Sequence, residues 1–575
     1  MDLPLHTLVM LATVVAAALF LLYRAALPKP IPGIPYDEKS ARRLLGDVPD
    51  AFKHYSKTSE MMSFLAQRCQ ELDSPMVQVF MRPFSKPWVV MADGREASDI
   101  MARRGREFDR GNIFRDFFEA VIPHQQSGLP TNDQWRYNRR LVACAMSTPF
   151  LNNVAAYRVH ENTVDLINLW RQKIRLAPSH VFDVYKDVQY CTVDTIWAAT
   201  FGESLGISKS QGDYLCNFDH IPLPANSNKI AAEIPTGEFP EAWHSLTTIV
   251  QSFDIPMNSP LGRHHHWLAI KLYPPYRRAI ASRNRHVGQR IQQAWDTFGS
   301  GNGANEGKGR CAVDLVVEQE AALAKKEDRV PDRTSKFLFD EMAGFLQAGF
   351  ETTSSTLNWG VKYLTKYQEV QKKLREALRA THKQAFERGE QPAAEQIAKA
   401  RDPYLEAFID EVMRHSGILS SNVRIATQDA DVLGYRIPKG TDLFMLTNGA
   451  SFNSPAFSID DKKRSATSRE YKGDTARWNT HDDLHLFRPE RWLTQTEQSS
   501  DPVFDARAAP FQTFGAGIRG CYGKRLAYLE QRVIYTLMVW NFEFQSIPDV
   551  LGDFKANDVL THTPKYARVM LRAAS

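Results

Sequence analysis

The sequence predicts a mainly α-helical chain carrying small β-sheets, an α+β domain organised on one long helix. Residues 334–366 can form that helix, about 50 Å long at ~1.5 Å per residue. Phe337, Leu338, Met342, Phe345, Leu346, Phe350, Leu357 and Trp359 make it apolar on several sides, as a helix buried through the middle of a domain must be. A second helix, over 405–415 (LEAFIDEVMRH), is amphipathic, and the β-rich runs 76–81 and 89–91 supply strands for a small sheet.

The 575 residues are 43% hydrophobic and 24% charged, ordinary globular composition with length for one large domain or two modest ones. A formal charge of +5 argues neither for nor against nucleic acid, and with no base-reading motif no nucleic-acid partner is expected. Six cysteines (Cys69, Cys144, Cys191, Cys216, Cys311, Cys521) without close pairing indicate neither a disulfide framework nor a zinc site.

Taken in order, residues 8–23 are apolar and uncharged, and with 3–5 and 25–27 the run approaches the ~20 residues that cross a bilayer. A cleaved signal peptide would begin with a basic region, whereas Asp2 and His6 precede this run and Arg24 and Lys29 follow it. Residues 1–27 therefore read as a retained single-pass transmembrane anchor with the bulk of the chain in the cytosol. Residues 28–40 hold Pro28, Pro30, Pro32 and Pro35, a stiff proline-rich hinge. Short helices flanking strands are expected between 40 and 108, and residues 108–130 carry aromatic side chains without a clean period, either core or pocket wall.

Residues 133–140 open a helix with Trp135 and Arg139 four apart on one face. Helices alternate with loops from 162 to 295. Adjacent His264, His265 and His266 cannot all reach one ion from a helix, so a solvated or interfacial cluster is expected there. Residues 299–309 (GSGNGANEGKG) have flexible-linker composition. Within the long helix, Ala348-Gly349-Phe350-Glu351-Thr352-Thr353 interrupts the hydrocarbon pattern, an inconsistency expected at a working site, although a helical threonine can simply bond back to a carbonyl. Glu411 and Arg414 lie at i and i+3, residues 435–441 read as strand and turn, and 454–480 is a long polar insertion with surface-loop composition. Cys521 sits in the glycine-rich stretch 514–523 just ahead of a helix marked by Leu526, Leu529, Val533, Ile534 and Leu537, a position that favours a thiolate.

Phe514, Gly517, Arg519, Cys521 and Gly523 fit F-x-x-G-x-R-x-C-x-G, which resembles the haem-binding signature of the cytochrome P-450 superfamily. Trp135 and Arg139 resemble its W-x-x-x-R helix, residues 348–353 its oxygen-activation motif, and Glu411, Arg414 and the segment Phe487–Trp492 its E-x-x-R and F-x-P-E-R-W elements. The resemblance implies the cytochrome P-450 fold, with haem b (iron protoporphyrin IX) buried between the long central helix and the cysteine loop. It implies that Cys521 ligates iron and that Arg519, Trp135, Arg139 and Arg424 hold the propionates. Phe514 shields the sulfur, and Gly523 completes the loop around the cofactor. Glu351 and Thr352 are implied as the catalytic acid–alcohol pair, with Glu411, Arg414 and Arg491 as a structural triad. The proline common after E-x-x-R is missing at His415-Ser416-Gly417.

Residues 41–575 are then one haem-thiolate monooxygenase domain, inserting one oxygen atom from O2 into an apolar organic substrate. The style of the sequence resembles fungal enzymes of secondary metabolism, which implies a terpenoid, polyketide or alkaloid. Electrons are implied to come from NADPH through a diflavin NADPH-cytochrome reductase, with cytochrome b5 as a second donor, at the endoplasmic reticulum membrane. Lys524, Arg525, Arg136 and Arg140 could receive an acidic partner. The literal G-x-G-x-x-G at 515–520 follows no strand and fails as a dinucleotide site. Two rivals are a haem-thiolate isomerase or dehydratase acting on a peroxide, which the Glu351-Thr352 pair disfavours, and a non-catalytic haem- or lipid-binding protein.

Overall fold

A computed structural model of the chain describes residues 5–259, 261–300, 310–471, 476–478, 483–496 and 499–574. Helix α1 (Leu5–Ala26) contains the span Val9–Ala26, long and apolar enough to cross a membrane and unburied throughout. The prolines that follow do not swing free. Gln78 accepts from the Ile31 amide at 2.8 Å and donates to the carbonyls of Ile31 and Ile34 at 2.9 and 2.7 Å, so the connector lies pinned against the first strand.

That strand, β1 (Met76–Val79), pairs antiparallel with β2 (Trp88–Met91). Helix α2 (Gly94–Arg103) follows, N-capped by Asp93. Three further strands, β3 (Phe108–Arg110), β4 (Ser421–Ala426) and β5 (Asp442–Leu446), complete a five-stranded sheet of order β1-β2-β5-β4-β3, in which only β2 and β5 run parallel. The register sets Arg110 directly opposite Arg424. Strands opposite one another project side chains to the same face, which brings two cations together.

Helices make up the rest. α3 (Asp133–Leu141) starts where the Asn132 side chain accepts from the Trp135 amide at 2.9 Å. α4 (Tyr185–Phe201) is buried along nearly its whole length, and α5 (Glu241–Ser252), α6 (Arg263–Leu272) and α7 (Pro274–Gly299) lie beyond it. The predicted long helix is α8 (Lys336–Lys366), 31 residues N-capped by Ser335, and it packs against α4 over much of its length. Its glycines permit that approach: a Cβ on Gly349 would come 2.5 Å from the Ile196 side chain, and one on Gly360 would strike the Tyr535 hydroxyl. α9 (Pro403–Ser416), the short α10 (Ala466–Glu470) and α11 (Lys524–Asn541) complete the core around the site. A C-terminal hairpin, β6 (Ala556–Asp558) and β7 (His562–Pro564), lies on α8, with Ser355 and Thr561 hydroxyls 2.9 Å apart and the Trp359 indole donating to the His562 carbonyl at 3.0 Å. The mainly α architecture with small separate sheets agrees with the sequence expectation.

One expectation needs correction. His264 and His265 are exposed, but His266 is fully buried, 3.0 Å from the Ser252 hydroxyl and 3.4 Å from the Asp116 carbonyl. Burial drives its pKa down to about 4, so it is a neutral core side chain joining α6 to α5. The polar insertion lies at the surface, with most of its described residues exposed, but it is not without structure: a 3-10 turn (Asp461–Lys463), reached by Arg95, is followed by α10, which packs on α2. Of the glycine-rich linker expected at 299–309, Gly299 is the last residue of α7 and Ser300 its C-cap, and 301–309 lie outside the described residues.

Candidate functional site

The cysteine loop folds through its own backbone. The Cys521 amide donates to the Phe514 carbonyl at 2.8 Å, and Gly515 and Gly517 take left-handed φ values of 62° and 68°. Gly517 meets α2 so closely that a Cβ there would collide with the Met101 carbonyl, which leaves glycine as the residue that fits. Cys521 lies three positions before the first residue of α11. Burial pushes its thiol pKa up, while the Gly523 amide, Arg139, Arg110 and Lys524 pull it back toward the thiolate. Phe514 rests 5.4 Å from Tyr528, with the Lys524 ammonium 5.6 Å above its ring.

Cys521 nevertheless has an accessible surface, as does Ala348 at the centre of the otherwise buried α8, with Gly349 and Thr352 partly accessible. Accessible surface in the middle of a packed helix marks an internal hollow. Thr353 donates to Glu530 at 2.8 Å and ties this part of α8 to α11, the helix that begins just after Cys521.

Arginines gather at one side of Cys521. Arg519 donates to the Leu129 and Gln126 carbonyls at 2.8 and 3.3 Å and stacks 4.6 Å from Trp135. Arg139 lies 3.9 Å over Tyr522 and 5.4 Å from Trp135, and reaches the Gln126 side chain at 3.3 Å. Among the described residues Arg424 donates only to the carbonyl of its neighbour Val423 at 3.0 Å. Arg110, which sequence reasoning missed, joins them from β3, and the Nε atoms of Arg110 and Arg519 are buried without a partner. Desolvation first, and then mutual repulsion, lower the pKa of Arg519 to about 10 and that of Arg110 well below its usual range; desolvation takes Arg424 to about 10. Asp109 is the acid close to them, and it also accepts from the amide and hydroxyl of Thr131. Three desolvated guanidinium groups, Arg110, Arg424 and Arg519, facing one carboxylate, with Arg139 beside them and nearer Glu341, call for a further anion with several oxygen acceptors.

On α8, the Thr352 hydroxyl donates back to the Ala348 carbonyl at 2.8 Å, the local alternative the sequence left open. Glu351 is buried on a different side of the helix, and burial, reinforced by Asp254, raises its pKa to about 7 while the Thr561 hydroxyl opposes the rise. The acid and the alcohol are therefore neighbours in sequence without sharing a hydrogen bond among the described residues.

Farther from Cys521, Glu411 accepts from Arg414 at 2.8 and 2.8 Å, from Arg491 at 3.0 Å, from the Arg488 amide at 2.8 Å and from the Trp492 indole at 2.9 Å. Trp492 was absent from the predicted triad. On the outer surface Lys524, Arg525, Arg136 and Arg140 are exposed; Arg136 pairs with Asp133 at 2.6 Å and Arg525 donates to the Thr148 hydroxyl at 2.9 Å.

The family model for cytochrome P450 matches residues 51–458 and 481–569. The chain is 37% identical over 569 residues to the cytochrome P450 monooxygenase GME11363 of Pestalotiopsis microspora, covering 99% of this chain and 98% of that protein. It is 32% identical to the cytochrome P450 monooxygenase TRI13 of Fusarium sporotrichioides, covering 96% and 97%. Over 274 residues, 46% of this chain and 86% of the other, it is 37% identical to the Hps1-dma1 cluster cytochrome P450 monooxygenase cyp3.1 of Dothistroma septosporum.

Proposed function

We propose, from the premise that the chain belongs to the cytochrome P450 family, that Cys521 is its haem-iron ligand and that Arg110, Arg139, Arg424, Arg519 and Trp135 hold the two propionates of haem b. The enzyme is a cytochrome P450 monooxygenase of mainly α fold, and membership implies a haem-iron cofactor, a redox partner and a generally apolar substrate. The carrying observation is the arginine cluster. Its orphaned buried donors fit a ligand bearing two carboxylates, and the accessible surface on Cys521 and Ala348 fits a flat group between loop and helix.

When bound, the haem supplies dioxygen activation, with thiolate donation favouring O–O cleavage. The protein's own part is charge and proton placement. The Gly523 amide and the α11 N-terminus hold negative charge on the Cys521 sulfur. Glu351, with a pKa near 7, can release and regain a proton at its carboxyl, and the Thr561 and Ser355 hydroxyls 2.9 Å apart continue that polar chain. The Thr352 hydroxyl, now bonded to Ala348, is accessible and available to orient a proton donor. Phe514 and Gly523 enclose the sulfur.

Electrons are assigned to NADPH through a diflavin reductase, with cytochrome b5 as a second donor, docking on Lys524, Arg525, Arg136 and Arg140. Residues 1–27 anchor the protein in the endoplasmic reticulum membrane, 28–40 form the hinge and 41–575 the cytosolic catalytic domain. Exposed Trp267, Leu268, Leu272 and Tyr273 on and beside α6 support a membrane-facing surface. The fungal relatives, one of them named for a cluster, support a secondary-metabolite substrate such as a terpenoid, polyketide or alkaloid.

The test is the reduced, carbon-monoxide-bound absorption spectrum of purified wild type and Cys521→Ser, with NADPH-dependent oxygen uptake in reductase-containing microsomes. Wild type should give the red-shifted thiolate band and turn over, and the variant should lose both. An unchanged band and rate in the variant would end this reading.

A further inference from the structure

We propose that residues 461–471 of the insertion are a brace that positions the cysteine loop through α2, with Arg464 as the positioning residue; the step from loop to iron rests on the reading of Cys521 given above.

Helix α2 carries Asp93, Glu96 and Asp99 at i, i+3 and i+6, three acids on one face, and they are only 2%, 0% and 0% exposed. Three carboxylates in so little water require cations. Arg103 at the C-terminal end of α2 takes Asp99 at 2.5 Å, and Arg104 lies 3.5 Å from Glu96 while its other nitrogens serve Glu107. Among the described residues the one cation on Asp93 comes from the insertion. Arg464 grips both Asp93 oxygens at 2.8 and 3.0 Å and lies 3.9 Å from Glu96, with 9% of its side chain exposed. The insertion then closes over the rest of the face. The Ser465 amide donates to Glu96 at 3.2 Å, and the Ser465 and Thr467 hydroxyls donate to Asp99 at 2.8 and 2.7 Å. Arg103 lies 4.0 Å from the Tyr471 ring, and Arg95 bonds Ser468 and Asp461 at 3.0 and 3.2 Å.

The far end of the same helix abuts the ligand loop. Gly517 packs on the Met101 carbonyl and Ala102 Cα with no space for a methyl group, and Gly515 sits beside the Met101 sulfur. A shift of α2 therefore presses directly on a residue four positions before Cys521. The match to the family model stops at 458 and resumes at 481, so residues 461–471 lie outside the pattern the family model describes while being built into the support of its ligand loop.

The experiment uses the full-length protein with Arg464→Met, and with Arg464→Met combined with Asp93→Asn and Glu96→Gln, which removes the orphaned charges. Amide hydrogen exchange is followed over 94–103 and 514–523 with and without bound haem. The conversion of the thiolate band of the reduced, carbon-monoxide-bound form to the neutral-thiol band is followed at a temperature where helix content stays constant. Arg464→Met should speed exchange in both segments by roughly 100-fold, the scale expected for orphaning a buried acid. It should hasten band conversion, and the triple variant should recover most of both. Faster exchange confined to 94–103, with loop and band as in wild type, would overturn the proposal, as would failure of the charge-neutral triple variant to recover. If Arg464→Met does not fold, Arg464→Lys gives the same reading, with roughly 10-fold faster exchange expected in both segments for a cation that loses the two-pronged grip; exchange unchanged at 514–523 would overturn it. The exchange readout does not depend on which residue binds iron, so its failure is separable from failure of the Cys521 assignment.

Discussion

Glu411→Gln should weaken folding by about 3–5 kcal/mol, the usual cost of breaking a buried ion pair by removing one partner. The structure explains why an isosteric change is so costly. Five donors converge on the Glu411 carboxylate, two of them on Arg414 and one on Arg491, and the side chains of Glu411, Arg414 and Arg491 are 0%, 0% and 5% exposed. Glutamine keeps one acceptor oxygen and turns an amide NH2 toward donors, while two guanidinium groups lose their shared counter-charge. With a urea dependence of about 3 kcal/mol per M, the unfolding midpoint should fall by roughly 1–1.7 M, read by far-UV circular dichroism. The effect has a pH signature. Burial alone would raise the Glu411 pKa, but Arg414 and then Arg491 hold it below the ordinary carboxylate value. A depressed folded-state pKa stabilises above the unfolded carboxylate range and is lost as pH falls through the folded value, so variant and wild type should converge in acid. A midpoint within about 0.2 M of wild type at neutral pH, or a gap that persists in strong acid, would refute the charge argument.

The opposite sign holds for a second set of acids. Burial raises Glu341, Glu351, Asp254 and Asp410 to about 7 and Glu530 to about 8, so the folded state holds protons that the unfolded chain has released. Stability should therefore decline as pH rises from the ordinary carboxylate range to about 8; calorimetric midpoints should be lower at pH 8.5 than at pH 6, with Glu530→Gln flattening part of the slope. Removal of residues 1–27 should release most, not all, of the protein from a microsomal pellet. Trp267 and Leu272, 54% and 65% exposed, still offer an apolar face, and adding Trp267→Ser with Leu272→Ser should release the remainder in a sedimentation assay.

What was legible in the chain was what local spacing encodes. Helix α8 could be read because a 31-residue apolar pattern has few other outlets, and the cysteine loop because Gly515 and Gly517 occupy backbone positions that other residues resist. Arg110 was hidden because its importance arises from strand pairing with β4, far along the chain, and no local pattern carries that register. The contacts of the insertion were hidden for a related reason. A polar stretch has the same composition whether it faces water or buried acids, and only the spacing of Asp93, Glu96 and Asp99 on α2 hinted that cations had to come from somewhere. His266 misled in the other direction, since a histidine run looks solvated until one member is hydrogen-bonded inside.

The two charge clusters around the cysteine loop carry a common logic. An unpaired buried charge costs several kcal/mol, so a fold that keeps one must supply its partner. On α2 the partners come with the chain itself: Arg464 and the Ser465 and Thr467 hydroxyls pair with Asp93 and Asp99, and one Glu96 oxygen is left without a hydrogen bond among the described residues, 3.9 Å from Arg464. Beside Cys521 the chain stops short. Arg110, Arg424 and Arg519 face Asp109 with Arg139 beside them, two of their nitrogens stay buried and unbonded among the described residues, and their pKa values sink. The same principle that makes the first cluster structural is the ground for proposing the second as a binding site, where the missing negative charge would arrive with a ligand. Folding without it should leave this region strained by like charges, and a dianionic cofactor entering there would stabilise the very loop that α2 and the insertion hold in place.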